Sequence, residues 1–167
     1  RLSSGIDRSA RLVEQLLSLA RHQATAGEAN LTTPVEIKQL LQTIIGEVWE
    51  SANGRHIDIG LAEADECCIL GNFDALKILF RNLLDNTIKY SSVGGIVNVA
   101  INKAGNSVLV SIEDSGHGIP PGEIERVFDR FYRVSGTKES GSGLGLAIVK
   151  AIADMHLATI SMNRSIT

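Results

Sequence analysis

The chain has 167 residues, 44% hydrophobic content and a formal net charge of −3, enough for one domain with a sizeable core plus an appendage. The weak acidic balance gives no electrostatic reason to expect nucleic acid. No apolar run approaches the roughly 20 residues of a membrane span, and no signal peptide is evident, so no membrane contact is expected of this stretch. Cys67 and Cys68 are neighbours, which is poor geometry for a mutual disulfide, and neither has a metal-ligating partner at useful spacing. A reducing compartment follows.

Residues 1–24 predict one amphipathic helix. Leu2, Ile6, Ser9, Val13, Leu16 and Ala20 step by four and three, and Leu12, Leu17 and Leu19 widen the stripe, the pattern of a bundle helix that cannot bury its apolar face alone. Residues 25–32 are small and polar and read as a linker. Thr33, Pro34 and Glu36 predict a helix start, with Thr33 as cap, Pro34 in the first position and Glu36 reaching back. That helix buries Ile37, Leu40, Leu41, Ile44, Ile45 and Val48 and ends near Asn53 and Gly54, with Trp49 in core or hinge packing. His56 to Leu61 alternates as a strand, and Cys68 to Leu70 predicts another.

In the next helix Leu76, Phe80, Leu83 and Thr87 share one face, while Asn82, Asp85, Asn86 and Lys89 share the opposite one. A solvated face does not need two asparagines, which are poor helix formers. Two amides one turn apart suggest carbonyl oxygens directed at a hard cation such as Mg²⁺, with Lys89 directed at phosphate; the plain alternative is an ordinary polar face. Ile96 to Asn102 and Ser107 to Glu113 predict a hairpin closed by Ala104, Gly105 and Asn106.

Val108, Val110 and Ile112 alternate with Ser111 and Glu113, so Asp114 stands where a half-buried strand ends. Its carboxylate can accept a hydrogen bond from an exocyclic amine such as that of adenine, and Gly116 and Gly118 let the backbone approach a flat ring. Asp and Gly are also the commonest turn residues, so this stretch alone would be equally well explained as a tight turn. Pro121 to Phe128 predicts a short helix, and the polar run Ser135 to Ser140 a mobile segment. Gly141, Ser142, Gly143, Leu144, Gly145 and Leu146 form a glycine-rich turn into an apolar helix, whose first amides and dipole suit phosphate. The spacing fits neither a Walker loop nor the dinucleotide fingerprint.

Taken together, the Asn82–Asn86 helix, the Asp114–Gly118 turn, Phe128 with Asp129, Arg130, Phe131, Tyr132 and Arg133, and the Gly141–Gly145 turn stand in an order that resembles the N, G1, F and G2 boxes of sensor histidine kinases. The match covers most of residues 31 to 160. The resemblance implies an α+β fold, a two-layer α/β sandwich of the Bergerat ATP-binding type, with a mixed sheet carrying helices on one face. That fold is shared with gyrase, the heat-shock chaperone of ninety kilodaltons and mismatch-repair ATPases. By the same resemblance residues 1–24 are the second helix of a dimerisation and phosphoacceptor hairpin, and 33–167 the catalytic domain, cut before its last strand so that one sheet edge is left unpaired.

The implied function is transfer of the γ-phosphoryl group of ATP, with Mg²⁺, to a histidine outside this chain. From there it passes to an aspartate of a response regulator receiver domain. The catalytic phosphoacceptor is therefore not among residues 1–167: His22 is followed by Gln23 rather than an acid and reads as a surface residue. The implied ATP site comprises Asn82, Asn86, Lys89, Tyr90, Asp114, Gly116, Gly118, Ile119, Phe131, Arg133, Gly141, Gly143, Leu144, Gly145 and Leu146, with Asn82 and Asn86 on the metal. Phe128 and Phe131 would anchor a short lid. The implied setting is cytoplasmic, in a homodimer anchored in the inner membrane by a preceding region. A different class of reading is a degenerate module that senses ATP or ADP and regulates a partner without phosphoryl transfer; a third is a scaffold that binds no nucleotide. Thr87 stands where the family usually has Ala, and Leu157 and Ala158 replace a common pair of glycines after His156, which puts local packing in question rather than chemistry.

Overall fold

A computed structural model of the chain describes residues 33–134, 139 and 141–163. The helix expected over 1–24, the linker over 25–32 and most of the segment 135–140 lie outside the described residues. In chain order the elements are β1 (Thr33–Glu36), α1 (Ile37–Asn53), β2 (Asp58–Ala64), β3 (Cys68–Gly71), α2 (Phe73–Tyr90), β4 (Ile96–Ala104), β5 (Ser107–Asp114), two short 3₁₀ turns (Pro121–Glu123 and Arg126–Phe128) and α3 (Gly145–Met155).

A three-stranded sheet runs β2-β4-β5, and a separate ribbon pairs β1 with β3. β2 and β4 are parallel, as a connection through β3 and the whole of α2 permits. β4 and β5 form an antiparallel hairpin. Its loop is only Gly105 and Asn106, one residue shorter than the sequence predicts, and the left-handed φ of 61° at Gly105 fits a type II′ turn. Along β4, Val97, Val99 and Ile101 are fully buried and alternate with Asn98, Ala100 and Asn102 on the more exposed face. One face of the sheet therefore carries the helices. Leu40, Leu41, Ile44 and Val48 of α1, Leu84 and Ile88 of α2, and Val149 and Ile152 of α3 complete the core of the described residues. This is the mixed sheet with helices on one face that the sequence leads one to expect. Among the described residues β5 pairs only with β4, leaving its outer edge without a strand.

The helix start predicted at Thr33 is corrected. Thr33 to Glu36 form β1, in register with Cys68 to Gly71, and α1 opens at Ile37 with no side-chain cap from Glu36. Val35, opposite Ile69, is 2% exposed; burying it in the ribbon outweighs the local capping signal, as tertiary context routinely overrides propensity. Trp49 is not core: it is 57% exposed. The buried stripe of α2 runs through Leu76, Leu79, Phe80, Leu84 and Ile88, slightly rotated from the predicted one, so Leu83 and Thr87 are only half-buried. The short helix expected over 121–128 is instead two separate turns, Pro121–Glu123 and Arg126–Phe128, broken at Ile124 and Glu125. Cys67 is buried and Cys68 exposed, both as free thiols. Burial, then the nearby Asp65 carboxylate, pushes the Cys67 thiol up, so it stays protonated and unreactive at neutral pH.

At the end of α3, Leu157 N–H reaches the Asp154 carbonyl (3.2 Å) and Ala158 N–H the Ala153 carbonyl (2.9 Å), the paired bonds of a Schellman cap. The left-handed position of such a cap normally takes Gly, yet Leu157 sits there with φ 52° and is 95% exposed. Nothing packs on it to offset the strain. Leu157→Gly should therefore stabilise the domain: relief of about 1–2 kcal/mol of backbone strain exceeds glycine's entropic cost of roughly 0.5–1 kcal/mol. Thermal unfolding should show a midpoint raised by about 2 °C, and an unchanged or lower midpoint would contradict the strain argument.

Candidate functional site

Three loops meet at the ends of α2, β5 and α3. Asp114 closes β5 opposite Val97. Its Oδ1 accepts the Gly116 N–H at 2.8 Å, so one carboxylate oxygen braces the turn and the other is left for an outside donor. The neighbouring Ser115 ties this turn to β4: its Oγ accepts the Ile96 N–H at 3.0 Å, and its own N–H reaches the Ile96 carbonyl at 3.2 Å. A side chain at Gly116 would lie 2.6 Å from Asp114 Oδ1 and 2.7 Å from the Tyr90 carbonyl oxygen, so only glycine lets the turn close onto the end of α2. Gly118 is left-handed at φ 70°, and Ile119 beyond it is half-buried.

α2 starts from a capped end, Asn72 Oδ1 accepting the Ala75 N–H at 2.9 Å. It presents Asn82, Asn86 and Lys89 along one side. Asn82 Nδ2 donates to the Ile78 carbonyl at 2.8 Å, which fixes the amide flip and turns Oδ1 outward as a pure acceptor. Lys89 Nζ donates to the Tyr90 hydroxyl at 3.2 Å and lies 4.7 Å from that ring's centroid, so the half-buried ammonium keeps protons for another acceptor. Asp85, on the same helix, is drawn aside by Arg81 Nε at 3.0 Å. Arg81 also bonds Glu47, as does Lys77; the Lys77 hydrogen bond, chiefly, holds the Glu47 carboxyl below its usual range.

The glycine turn before α3 abuts these side chains. A Cβ on Gly141 would stand 2.6 Å from Lys89 Nζ, and one on Gly145 would stand 3.2 Å from both Asn82 Oδ1 and Asn86 Nδ2. α3 begins with no side-chain cap and no acid in its first turn. Its orphan amides and positive dipole end thus face two amide groups and one ammonium. A polyanion and a small hard cation could both be held there. A carboxylate cage is absent: among the described residues no three His, Cys, Asp or Glu side chains cluster as metal ligands. The donor set is instead one or two amide oxygens, which suits a Mg²⁺ that retains waters and phosphate oxygens.

Phe131 N–H donates to the Gly143 carbonyl at 2.9 Å, joining the two ends of the intervening loop. Phe131 is left-handed, φ 63°, and the residue is 57% exposed. The loop is therefore anchored by the Phe131 backbone rather than its ring, a revision of the expected role. Tyr132 supplies the side-chain anchor instead, its hydroxyl donating to Glu123 with Arg126 stacked 4.2 Å from the ring centroid. Arg133 donates to the Glu139 carbonyl and is engaged within its own loop. The Leu144 side chain is buried in the core, so only its backbone borders the turn; Leu146 is half-buried. Of the expected residues, Asn82, Asn86, Lys89, Gly141 and Gly145 come together, Asp114, Gly116 and the Tyr90 backbone form a second cluster, Phe131 meets the glycine turn through its backbone at Gly143, and Arg133 bonds within its own loop. The sequence assigns no role to Ser115, Glu123 or Arg126, and it names Tyr132 only as part of the Phe128–Arg133 motif. Only Ser115, between Asp and Gly, carried a local signal.

Residues 71–166 match the model of the histidine kinase-, DNA gyrase B- and HSP90-like ATPase family. The chain belongs to this family. Among relatives of this ATPase domain, the sensor protein QseC of Escherichia coli K12 is 38% identical over 156 residues, 93% of this chain and 34% of that protein. QseC of Salmonella typhi is 35% identical over 165 residues, 98% of this chain and 36% of that protein. The heme sensor protein HssS of Staphylococcus aureus Newman is 36% identical over 131 residues, 78% and 28% respectively. The chain thus spans about a third of the length of these curated relatives. Of solved structures, a mycobacterial sensor histidine kinase, MprB, superposes with TM-score 0.68 at 31% identity, covering 75% of this chain and 80% of that one. The ATP-binding domain of PrrB from Mycobacterium tuberculosis gives 0.67 at 27%, covering 81% and 89%. As in these ATPases, the fold is an α/β sandwich with a mixed sheet, and ATP is the nucleotide the family uses. No helix among the described residues is long and apolar enough to cross a membrane.

Proposed function

We propose that this chain is the ATP-binding catalytic part of a sensor histidine kinase, which passes the γ-phosphoryl group of Mg·ATP to a histidine on a separate helix and thence to an aspartate of a response regulator. One observation carries the reading: Asn82 Oδ1, the Asn86 amide and the Lys89 ammonium converge on the uncapped, glycine-opened start of α3. The free oxygen of Asp114 selects the adenine amine, and Gly116 and Gly118 admit the ring, bordered by Tyr90 and Ile119. Lys89 and the Gly141, Gly143 and Gly145 backbone bind phosphates, with Leu144 and Leu146 shaping the turn. Mg²⁺, held by Asn82 and Asn86, would supply charge neutralisation between phosphates. Phe131 borders the glycine turn through its bond to Gly143, and Arg133 is the cation of this loop assigned to the phosphates.

The four histidines, His22, His56, His117 and His156, are followed by Gln23, Ile57, Gly118 and Leu157, so none has the acidic neighbour that would activate it. Asn82, one turn before Asn86, is an amide without useful basicity, so it cannot serve as the general base that activates water. The chain should therefore hold Mg·ATP unreacted, yet phosphorylate a separate helical hairpin that carries a histidine next to an acid, because positioning supplies most of the catalysis. Calorimetry with Mg·ATP tests binding and γ-labelled ATP tests transfer. Binding without transfer to the hairpin would favour the nucleotide-sensing alternative, and no binding at all would overturn both.

A second copy is the expected partner of the Leu2, Ile6, Val13 and Leu16 stripe, since an apolar helix face must find a cover. Sedimentation across concentrations should show reversible dimerisation; a chain that stays monomeric contradicts it. The setting consistent with ATP and a receiver domain is the cytoplasm, with the intact protein anchored in the membrane.

A further inference from the structure

α2 and α3 pack against each other and are antiparallel. The Asn82–Asn86 stretch of α2 meets Gly145 at the start of α3, while at the other ends, which share the buried core through Leu76, Ile152 and Ala153, His156 adds a hydrogen bond. The His156 Nε2 accepts the backbone N–H of Asn72 at 3.1 Å, and Asn72 is the residue that caps α2. The other ring nitrogen, Nδ1, lies 2.8 Å from the Ile152 carbonyl. A carbonyl only accepts, so Nδ1 carries the proton; a backbone N–H only donates, so Nε2 carries the lone pair. Both bonds together admit one species, the neutral imidazole protonated on Nδ1.

The ring is also seated tightly. A Cβ on Gly71 would lie 3.0 Å from His156 Cδ2 and 3.1 Å from Nε2, so glycine is what lets the end of β3 close on the imidazole. His156 itself is fixed as the C-cap of α3, its N–H bonded to the Ile152 and Ala153 carbonyls at 3.2 and 3.0 Å.

We propose that His156 is a positioning residue for the nucleotide site: it pins the ends of α2 and α3 remote from that site, so that the amide-bearing and glycine-turn halves of the phosphate and metal cradle keep a fixed separation. The inference rests on the ATP-site reading above. At about 1.5 Å per residue, the clamp stands roughly 15 Å from the cradle along either helix. Apolar packing between the far ends is non-directional, and the His156 hydrogen bond adds the directional contact that resists sliding and pivoting. Binding of a phosphate chain across two elements tolerates little pivoting, because a binding constellation must be held within about 0.5 Å of its productive geometry. The adenine end differs, since Asp114, Ser115 and Gly116 are tied to β4 and to the end of α2 and owe nothing to α3.

The test uses the whole chain, two probes and two variants. His156→Phe keeps the ring's bulk and removes both hydrogen bonds; His156→Gln restores an acceptor at about the distance of Nε2. Mg·ADP affinity should fall about tenfold in His156→Phe and return to within about twofold in His156→Gln, while adenosine affinity, followed by NMR titration, stays level in both. Unchanged Mg·ADP affinity in His156→Phe, or an equal loss for both probes, overturns the proposal, the latter because a general loosening of the fold would affect both. A third readout is the ¹⁵N spectrum of the His156 ring, which must show the proton on Nδ1; a proton on Nε2 refutes the clamp even if both variants misfold. If the wild-type chain binds neither probe, the ATP-site reading fails, and the ring spectrum still decides whether the clamp exists.

Discussion

Asp114→Asn should weaken ATP binding about ten- to a hundredfold, and the hydrogen bonding of the turn says why so small a change matters. Asp114 Oδ1 already accepts the Gly116 N–H. An asparagine must keep its single oxygen there, because an NH₂ would otherwise face the Gly116 N–H. The amide NH₂ is thereby forced to the other side, where the adenine amine arrives as a donor. One hydrogen bond becomes a clash of two donors, costing roughly 1–3 kcal/mol, or about one to two decades in Kd. The same geometry predicts weak GTP binding by the wild-type protein, whose carboxylate would meet the O6 acceptor of guanine. Calorimetric titration of both variants with Mg·ATP and Mg·GTP reads the effect. An Asn variant that binds ATP as tightly as wild type would remove Asp114 from the base pocket.

The chemistry-bearing parts of the chain were legible because they are local. Asn82, Asn86 and Lys89 are placed on one side of a helix by period alone, and Asp114 is placed at a strand end by alternation. What sequence could not decide was competition between levels. Thr33, Pro34 and Glu36 do spell a helix start, but Val35 has a partner in Ile69, and strand pairing there depends on residues more than thirty positions away. Trp49 looks like core from its size, yet the buried positions of α1 step through Leu41, Ile44, Val48 and Ala52 and leave it outside. His156 is the extreme case. Its partner Asn72 is 84 positions distant, and only the folded chain brings the two into contact.

Glycine carries different burdens at different points of the site, and this allows a sharper test than simple loss of function. Gly105 in the hairpin and Gly143 before α3 share a left-handed backbone, φ 61° and 71°. A Cβ on Gly105 meets nothing within 4 Å, whereas one on Gly143 would lie 2.6 Å from the Phe131 carbonyl carbon, 2.8 Å from its Cα and 2.8 Å from the Tyr132 carbonyl oxygen. All three are backbone atoms and cannot rotate aside.

Gly143→Ala must therefore do more than pay the roughly 1 kcal/mol of a left-handed alanine. It has to push the Phe131 strand of the loop away and break the Phe131 N–H to Gly143 carbonyl bond that joins the loop's two ends. With that bond lost, the turn that aims the first amides of α3 opens, and Mg·ATP affinity should fall at least tenfold, a drop of about 1.4 kcal/mol. Gly105→Ala bears the same backbone strain far from the site. It should lower the unfolding midpoint by a few degrees and leave Mg·ATP affinity unchanged. The two variants, compared by calorimetry and by thermal unfolding, separate strain from steric exclusion. If Gly143→Ala bound Mg·ATP as well as Gly105→Ala does, the glycine turn would not be where the phosphates sit.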